Sequence, residues 1–184
     1  MTRSTSAQQP IGVRSRVYRT LYDTREFCSK QTLAKRCGIS MPTLYQNLNE
    51  LIDAGLVRYS GEEQFTGGRR AQGLEIVPDA RIAVGISATE HHLRLVASDL
   101  RLQELAYQAL PFDLVSHLDP GGHDTALADA LNGFLDEFGI DRSRLLGAGI
   151  TIPGVLTPDH QHISFAPTLQ LRDVPLSLLT RGIP

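Results

Sequence analysis

Residues 29–57, SKQTLAKRCGISMPTLYQNLNELIDAGLV, constrain this chain more than any other stretch. They read as two short helices joined by a tight turn. Ser29 is placed to cap the first helix, because a serine oxygen accepts from a first-turn N–H that has no partner inside the helix. Leu33 and Cys37 fall on one face, four residues apart. Gly38 ends the helix, since glycine takes the left-handed C′ position without a Cβ clash. Ile39 plugs the turn. Ser40 caps the second helix, whose first turn tolerates Pro42. Leu44, Leu48, Leu51 and Ile52 make its apolar stripe, and Gly55 closes it. The opposite face carries Pro42, Thr43, Gln46, Asn49 and Glu50, with Tyr45 at its flank.

That outward face has few charges and several hydrogen-bonding groups. Two readings stand. One is an ordinary helical hairpin with a polar outer face. The other is a helix-turn-helix, in which the N-terminal part of the second helix reads base edges. Gln bonds adenine N6 and N7 in a bidentate way, and Thr contacts the thymine methyl. On this second reading Thr43, Tyr45 and Gln46 face the major groove, while Ser40 and the helix-terminal N–H groups hold phosphate.

Charge is unevenly spread along the chain. Residues 1–78 hold eleven Lys and Arg against seven Asp and Glu, and residues 79–184 hold seven against thirteen. A basic front joined to an acidic rear suits a DNA-binding head on a different kind of body; chance variation is the alternative. No apolar run approaches the ~18 residues of a membrane span, and the N-terminus lacks the apolar core of a secretory signal. A cytoplasmic protein without membrane attachment is expected. Cys28 and Cys37 read as small core residues, with no other Cys or nearby His to complete a metal site.

In chain order, residues 1–12 are expected to form a mobile arm. Residues 13–24 place Val13, Val17 and Leu21 at fourfold spacing, an amphipathic helix with Arg14, Arg16 and Arg19 off its apolar face. Residues 56–60 and 73–77 are strand-like and would pair as the wing of a winged helix. Between them lies GEEQFTGGRRAQ, in which Arg69 and Arg70 follow two glycines. Such an arm approaches DNA closely, and arginines suit narrow A/T-rich minor grooves. A solvated interdomain hairpin is the other reading.

From Ile82 the pattern turns to strands: IAVGIS, LRLVAS and ELAYQAL. The loop HLDPGGHDT follows, then a helix over 126–138 with Leu127, Leu131, Leu135 and Phe138 on one face. A strand over 145–152 completes a β-β-β-α-β unit, a helix covering a mixed sheet. The expected domains are the arm 1–12, a winged helix-turn-helix over 13–78 and an α/β lobe over 79–184.

The segments FTGGRRAQGLEIVPDA, AVGISATEHHLRLVASDL and GAGITIPGVLTPDHQHISFAPTLQLRDVPL follow the head in order. With T-G-G-R-R and I-x-I-P-G as the most specific parts, the chain resembles the transcriptional regulators of the ROK family (repressors, open reading frames and kinases). The resemblance implies an α+β protein, a winged helix joined to one lobe of an actin/hexokinase-like, ribonuclease-H-like fold. It also implies repressors that release DNA when a sugar binds. The sequence departs from the family pattern at named positions. Ser87, Thr89 and His91 stand where kinases of the family carry D-x-G-x-T. Thr168 replaces the Asn of A-P-N-L, and Leu171 replaces a tryptophan. The family's catalytic Asp, its cysteine-rich zinc motif and its second lobe correspond to nothing before Pro184. The ATP and sugar sites are thus expected to be degenerate or incomplete.

Three functions compete. The first is a sequence-specific regulator of double-stranded DNA, with Ser40, Pro42, Thr43, Tyr45, Gln46, Asn49, Arg69 and Arg70 as contacts. It has no catalytic, cofactor or metal residues, a possible homo-oligomeric state and an open question over a sugar effector. The second is a truncated sugar kinase. The third is a non-catalytic module that pairs with a longer relative. Adjacent His91 and His92 would point to opposite faces of a strand, and His160 and His162 lack a third ligand. The residues favour the first.

Overall fold

A computed structural model describes residues 12–65, 70–118 and 124–183. The chain divides into two compact units, Met1–Ala80 and Arg81–Pro184. Most of the expected arm, Arg69 and the centre of the HLDPGGHDT loop lie outside the described residues.

The first unit contains α1 (Val13–Asp23), α2 (Lys30–Cys37), α3 (Met41–Asp53), β1 (Val57–Phe65) and β2 (Arg70–Ile76). Val17 and Leu21 of α1, Leu33 and Cys37 of α2, and Leu44, Leu48 and Leu51 of α3 are buried in one core. Ile39 and Ile52 pack against its edge. The caps are local chemistry. Ser29 Oγ accepts the Thr32 N–H at 3.1 Å, and Ser40 Oγ accepts the Thr43 N–H at 3.3 Å. The ends of α2 and α3 share one closure. Gly38 N–H donates to Lys35 O while Ile39 N–H donates to Ala34 O. Gly55 N–H likewise donates to Ile52 O while Leu56 N–H donates to Leu51 O. Both glycines are left-handed, at φ 62° and 69°, which this closure requires.

The wing is longer than its sequence suggests. β1 and β2 are antiparallel from Val57↔Ile76 out to Phe65↔Arg70, with an irregular register between Tyr59 and Glu63. Residues 61–65 and 70–72, which look like linker, are therefore strand. β2 also touches the segment before α2, through a Ser29↔Gly73 bridge and a Leu74 N–H to Cys28 O bond of 2.9 Å. Gly73 lies so close to Ser60 and the Phe27 ring that a Cβ there would collide with both.

The second unit is a four-stranded sheet in the order β5-β4-β3-β6, with a small three-stranded sheet after it. Its first three strands are β3 (Ile82–Ala88), β4 (His92–Ser98) and β5 (Glu104–Pro111), antiparallel in sequence order. α4 (Ala126–Glu137) then leads to β6 (Leu145–Thr151), which runs parallel to β3. Alternate residues Ile82, Val84, Ile86 and Ala88 of β3 are buried with Leu127, Leu131 and Leu135 of α4. The aromatic residue that α4 adds to this core is Phe134, fully buried, and not Phe138, which is 41% exposed. Glu137 is the last residue of α4, and Phe138 stands at its C-cap, where the chain leaves the helix and the ring is half-exposed. β7 (Val155–Leu156), β8 (His162–Ala166) and β9 (Leu171–Pro175) form the small sheet, which the sequence does not announce. No helix among the described residues is long and apolar enough to cross a membrane.

Candidate nucleic-acid interface

α3 presents its polar face because its apolar stripe is fully used. With Leu44, Leu48 and Leu51 buried, Pro42, Tyr45, Gln46, Asn49 and Glu50 are left exposed. Ser40 and Thr43 at its start share a 2.8 Å hydroxyl contact, which fixes both oxygens at the helix entrance. Asn47 turns back, its amide donating to Thr43 O at 2.8 Å. Gln46 and Asn49 bond to no partner among the described residues, so their amide groups remain available to a ligand.

The cations around this face are held in different ways. Arg14 of α1 donates to Glu50 at 2.9 Å, Arg58 to Glu75 at 2.7 Å and Arg70 to Glu63 at 3.3 Å. These pairs are exposed and weak, so an incoming phosphate can compete for the arginines. Arg36 donates to the Thr24 hydroxyl at 2.8 Å. Lys30 sits between rings, its ammonium 4.9 Å from the Tyr45 centroid and 5.0 Å from that of Tyr59. An open polar groove runs past Lys30, Gln31, Tyr45, Arg70 and Gln72, where α2, α3 and the wing meet.

Of the sequence-derived candidates, Ser40, Pro42, Thr43, Tyr45, Gln46 and Asn49 thus lie along one helix, and Arg70 lies on the wing. Lys30, Tyr59 and Gln72 were not legible as a group, since only the fold unites α2, β1 and β2. One signal existed. Lys30 opens a helix, where the macrodipole disfavours a cation.

Elsewhere the chemistry is plain. Cys28 and Cys37 are free and buried, and burial pushes the Cys28 thiol up. Among the described residues no three His, Cys, Asp or Glu are gathered to hold a metal ion. In the lobe, the Thr89 N–H and hydroxyl both donate to His92 O, at 2.9 and 3.1 Å, closing a tight β3–β4 turn. These donors are therefore already used within the turn.

A helix-turn-helix domain family matches residues 12–60. The DNA-binding transcriptional dual regulator NagC of Escherichia coli K12 is 26% identical over 159 residues, 85% of this chain and 38% of that protein. The xylose repressor of Bacillus subtilis 168 is 26% identical over 151 residues, 80% of this chain and 38% of the repressor. The crystal structure of a ROK family transcriptional regulator, a homologue of the E. coli MLC protein, matches 93% of this chain and 43% of that one. The TM-score is 0.64 at 18% identity, which shows a shared fold. The chain is related to ROK-family transcriptional regulators. It spans well under half the length of the relatives it matches, and the family resemblance covers head and lobe alike.

Proposed function

We propose that the chain is a sequence-specific DNA-binding transcription regulator of the ROK type, most naturally a repressor acting in the cytoplasm. The observation that carries this reading is the exposed polar face of α3, bounded by the wing and capped by the Ser40–Thr43 hydroxyl pair. Thr43, Tyr45 and Gln46 enter the major groove, with Asn49 and Pro42 at the edges of the contact. Ser40 and the first-turn N–H groups meet the phosphate backbone. Arg70 exchanges Glu63 for the duplex and, with Arg69, reaches the flanking minor groove, where A/T-rich sequence strengthens the attraction. Two copies reading two half-sites would follow the usual logic of helix-turn-helix proteins.

The relatives are named for N-acetylglucosamine and xylose repression. For this chain we propose that sugar response is reduced or lost, and that it does not phosphorylate sugars. Thr168 is exposed where the family carries an Asn, and the β3–β4 turn is closed on itself. The test is selection of a random duplex pool at two salt concentrations. A recovered motif, above all a palindrome with A/T-rich flanks, supports a dimeric sequence reader. Salt-sensitive binding without sequence preference would sink it.

A further inference from the structure

This inference rests on the reading of the head as a duplex-binding module and names a further residue within it. We infer that Lys30 contacts a DNA phosphate and that Tyr45 and Tyr59 hold it in place, between the reading helix and the wing. Lys30 begins α2, Tyr45 lies in the second turn of α3 and Tyr59 lies on β1. Folding stacks the ammonium 4.9 Å from one ring centroid and 5.0 Å from the other. Each ring attracts the cation through its quadrupole.

The manner of holding matters. The neighbouring arginines Arg14, Arg58 and Arg70 have N–H donors directed at carboxylates. Among the described residues no carboxylate pairs with Lys30. Ring faces attract charge without accepting the directed hydrogen bonds that a carboxylate takes. The three ammonium donors therefore remain open to an anion. The lysine stem is also ordered before any ligand arrives, so less side-chain freedom is lost on binding. A cation in the first turn of a helix is opposed by the macrodipole, and an arriving phosphate relieves that opposition. The ammonium lies beside the groove that includes Gln31, Arg70 and Gln72. Phosphate contacts fix register while base contacts specify. One at Lys30 sets the depth at which Tyr45 and Gln46 meet the bases.

The test is binding to two duplexes, one of mixed sequence and one recovered by selection, across a series of salt concentrations. Circular dichroism checks that each variant folds. Lys30→Gln is expected to reduce the salt slope by about 0.9, the share of one phosphate, and to weaken both duplexes by a similar factor. Tyr59→Leu removes one ring and weakens both duplexes, while Tyr59→Phe keeps the π-face and binds as the parent does. An unchanged slope in Lys30→Gln overturns the assignment, and so does equal binding by the two Tyr59 variants. A parent chain that binds neither duplex overturns the DNA-reading proposal itself, and the Lys30 contact with it.

Discussion

The head and the lobe differ in what they leave outside. The large apolar residues exposed on the described part of the head are Tyr45 and Tyr59, and both rings are occupied by Lys30. The lobe exposes aliphatic and aromatic side chains on both edges of its main sheet. Leu105 and Tyr107 lie on β5, and Leu146 is 63% exposed on β6. Val155 and Phe165 add to these on the small sheet. A strand edge that also carries apolar side chains is a surface at which more structure ordinarily packs. The head closes its core with its own five elements and turns a polar face outward. Among the described residues the lobe packs α4 on its main sheet and leaves the edge strands β5 and β6 without a further strand beside them. The difference teaches where each kind of surface is useful: a polar, pre-ordered face suits a hydrated duplex, and an open sheet edge does not.

The largest effect should come from breaking either core. Phe134→Ala in the lobe is expected to cost about 3–5 kcal/mol, and Leu48→Ala in the head about 2–5 kcal/mol. The chain has no tryptophan, so amide hydrogen exchange resolved by segment is the suitable readout. Phe134→Ala should raise exchange in β3, β4 and α4 while α3 keeps its protection, and Leu48→Ala should do the converse. If either variant loosens both units equally, their separate treatment is wrong.

Gly73→Ala tests how tightly the wing is pinned. The new methyl would meet Ser60 and the Phe27 ring, so β2 must shift or the ring must move. Overpacking of this kind costs about 1–3 kcal/mol. Thermal unfolding of the head should fall to match, with a loss of duplex binding as the wing is displaced. A variant of parental stability would mean that Phe27 gives way freely.

Gln46→Ala probes the proposed reading face. It should cost about 1–3 kcal/mol of discrimination at one base pair while leaving the folding of the head unchanged. Repeating the duplex selection with the variant reads this directly. An identical recovered motif would remove Gln46 from the set of base contacts.

These predictions draw on parts of the molecule that were unequally legible. The helix-turn-helix could be read because its signals are local: Ser29, Gly38, Ser40 and Gly55 each stop or start a helix through bonds to near neighbours. The wing was read too short because Gly61, Glu62 and Glu63 look like loop chemistry. Pairing with β2 resumes at Glu63↔Gln72, and Gly61, at φ 76°, lies inside the irregular register that carries β1 on to it. The small sheet was missed for a related reason. Its strands are two to five residues long, the turns between them use positive φ at His160 and Gln170, and Asp173 takes positive φ inside β9 itself, none of the three being glycine. Within the interface, the α3 face follows from helical spacing, so Gln46 and Asn49 were foreseeable. The stacking of Lys30 on two tyrosines from different elements is a property of the tertiary fold, which no spacing rule encodes.

The smallest expected effect is a pH dependence confined to the lobe. Asp124 Oδ1 accepts the Ala126 N–H at 2.8 Å, at the start of α4, and Oδ2 lies 2.9 Å from His117 Nδ1. An ionised carboxylate only accepts, so the ring nitrogen must donate. His117 in turn lies against Phe112, with ring centroids 4.9 Å apart. The backbone N–H of Ala126, followed by the bond from His117, holds the Asp124 carboxyl below its ordinary value. A carboxyl depressed in the folded state stabilises fully above its unfolded value. That contribution fades as pH falls through the lower, folded value. Asp124→Asn keeps an oxygen for the Ala126 N–H and removes the titration. In urea unfolding at a series of pH values, the gap between parent and variant should be constant above about pH 5 and should shrink towards more acid conditions. A gap that stays constant down to the acid limit would show that the Asp124 charge adds nothing beyond the hydrogen bond an asparagine also makes.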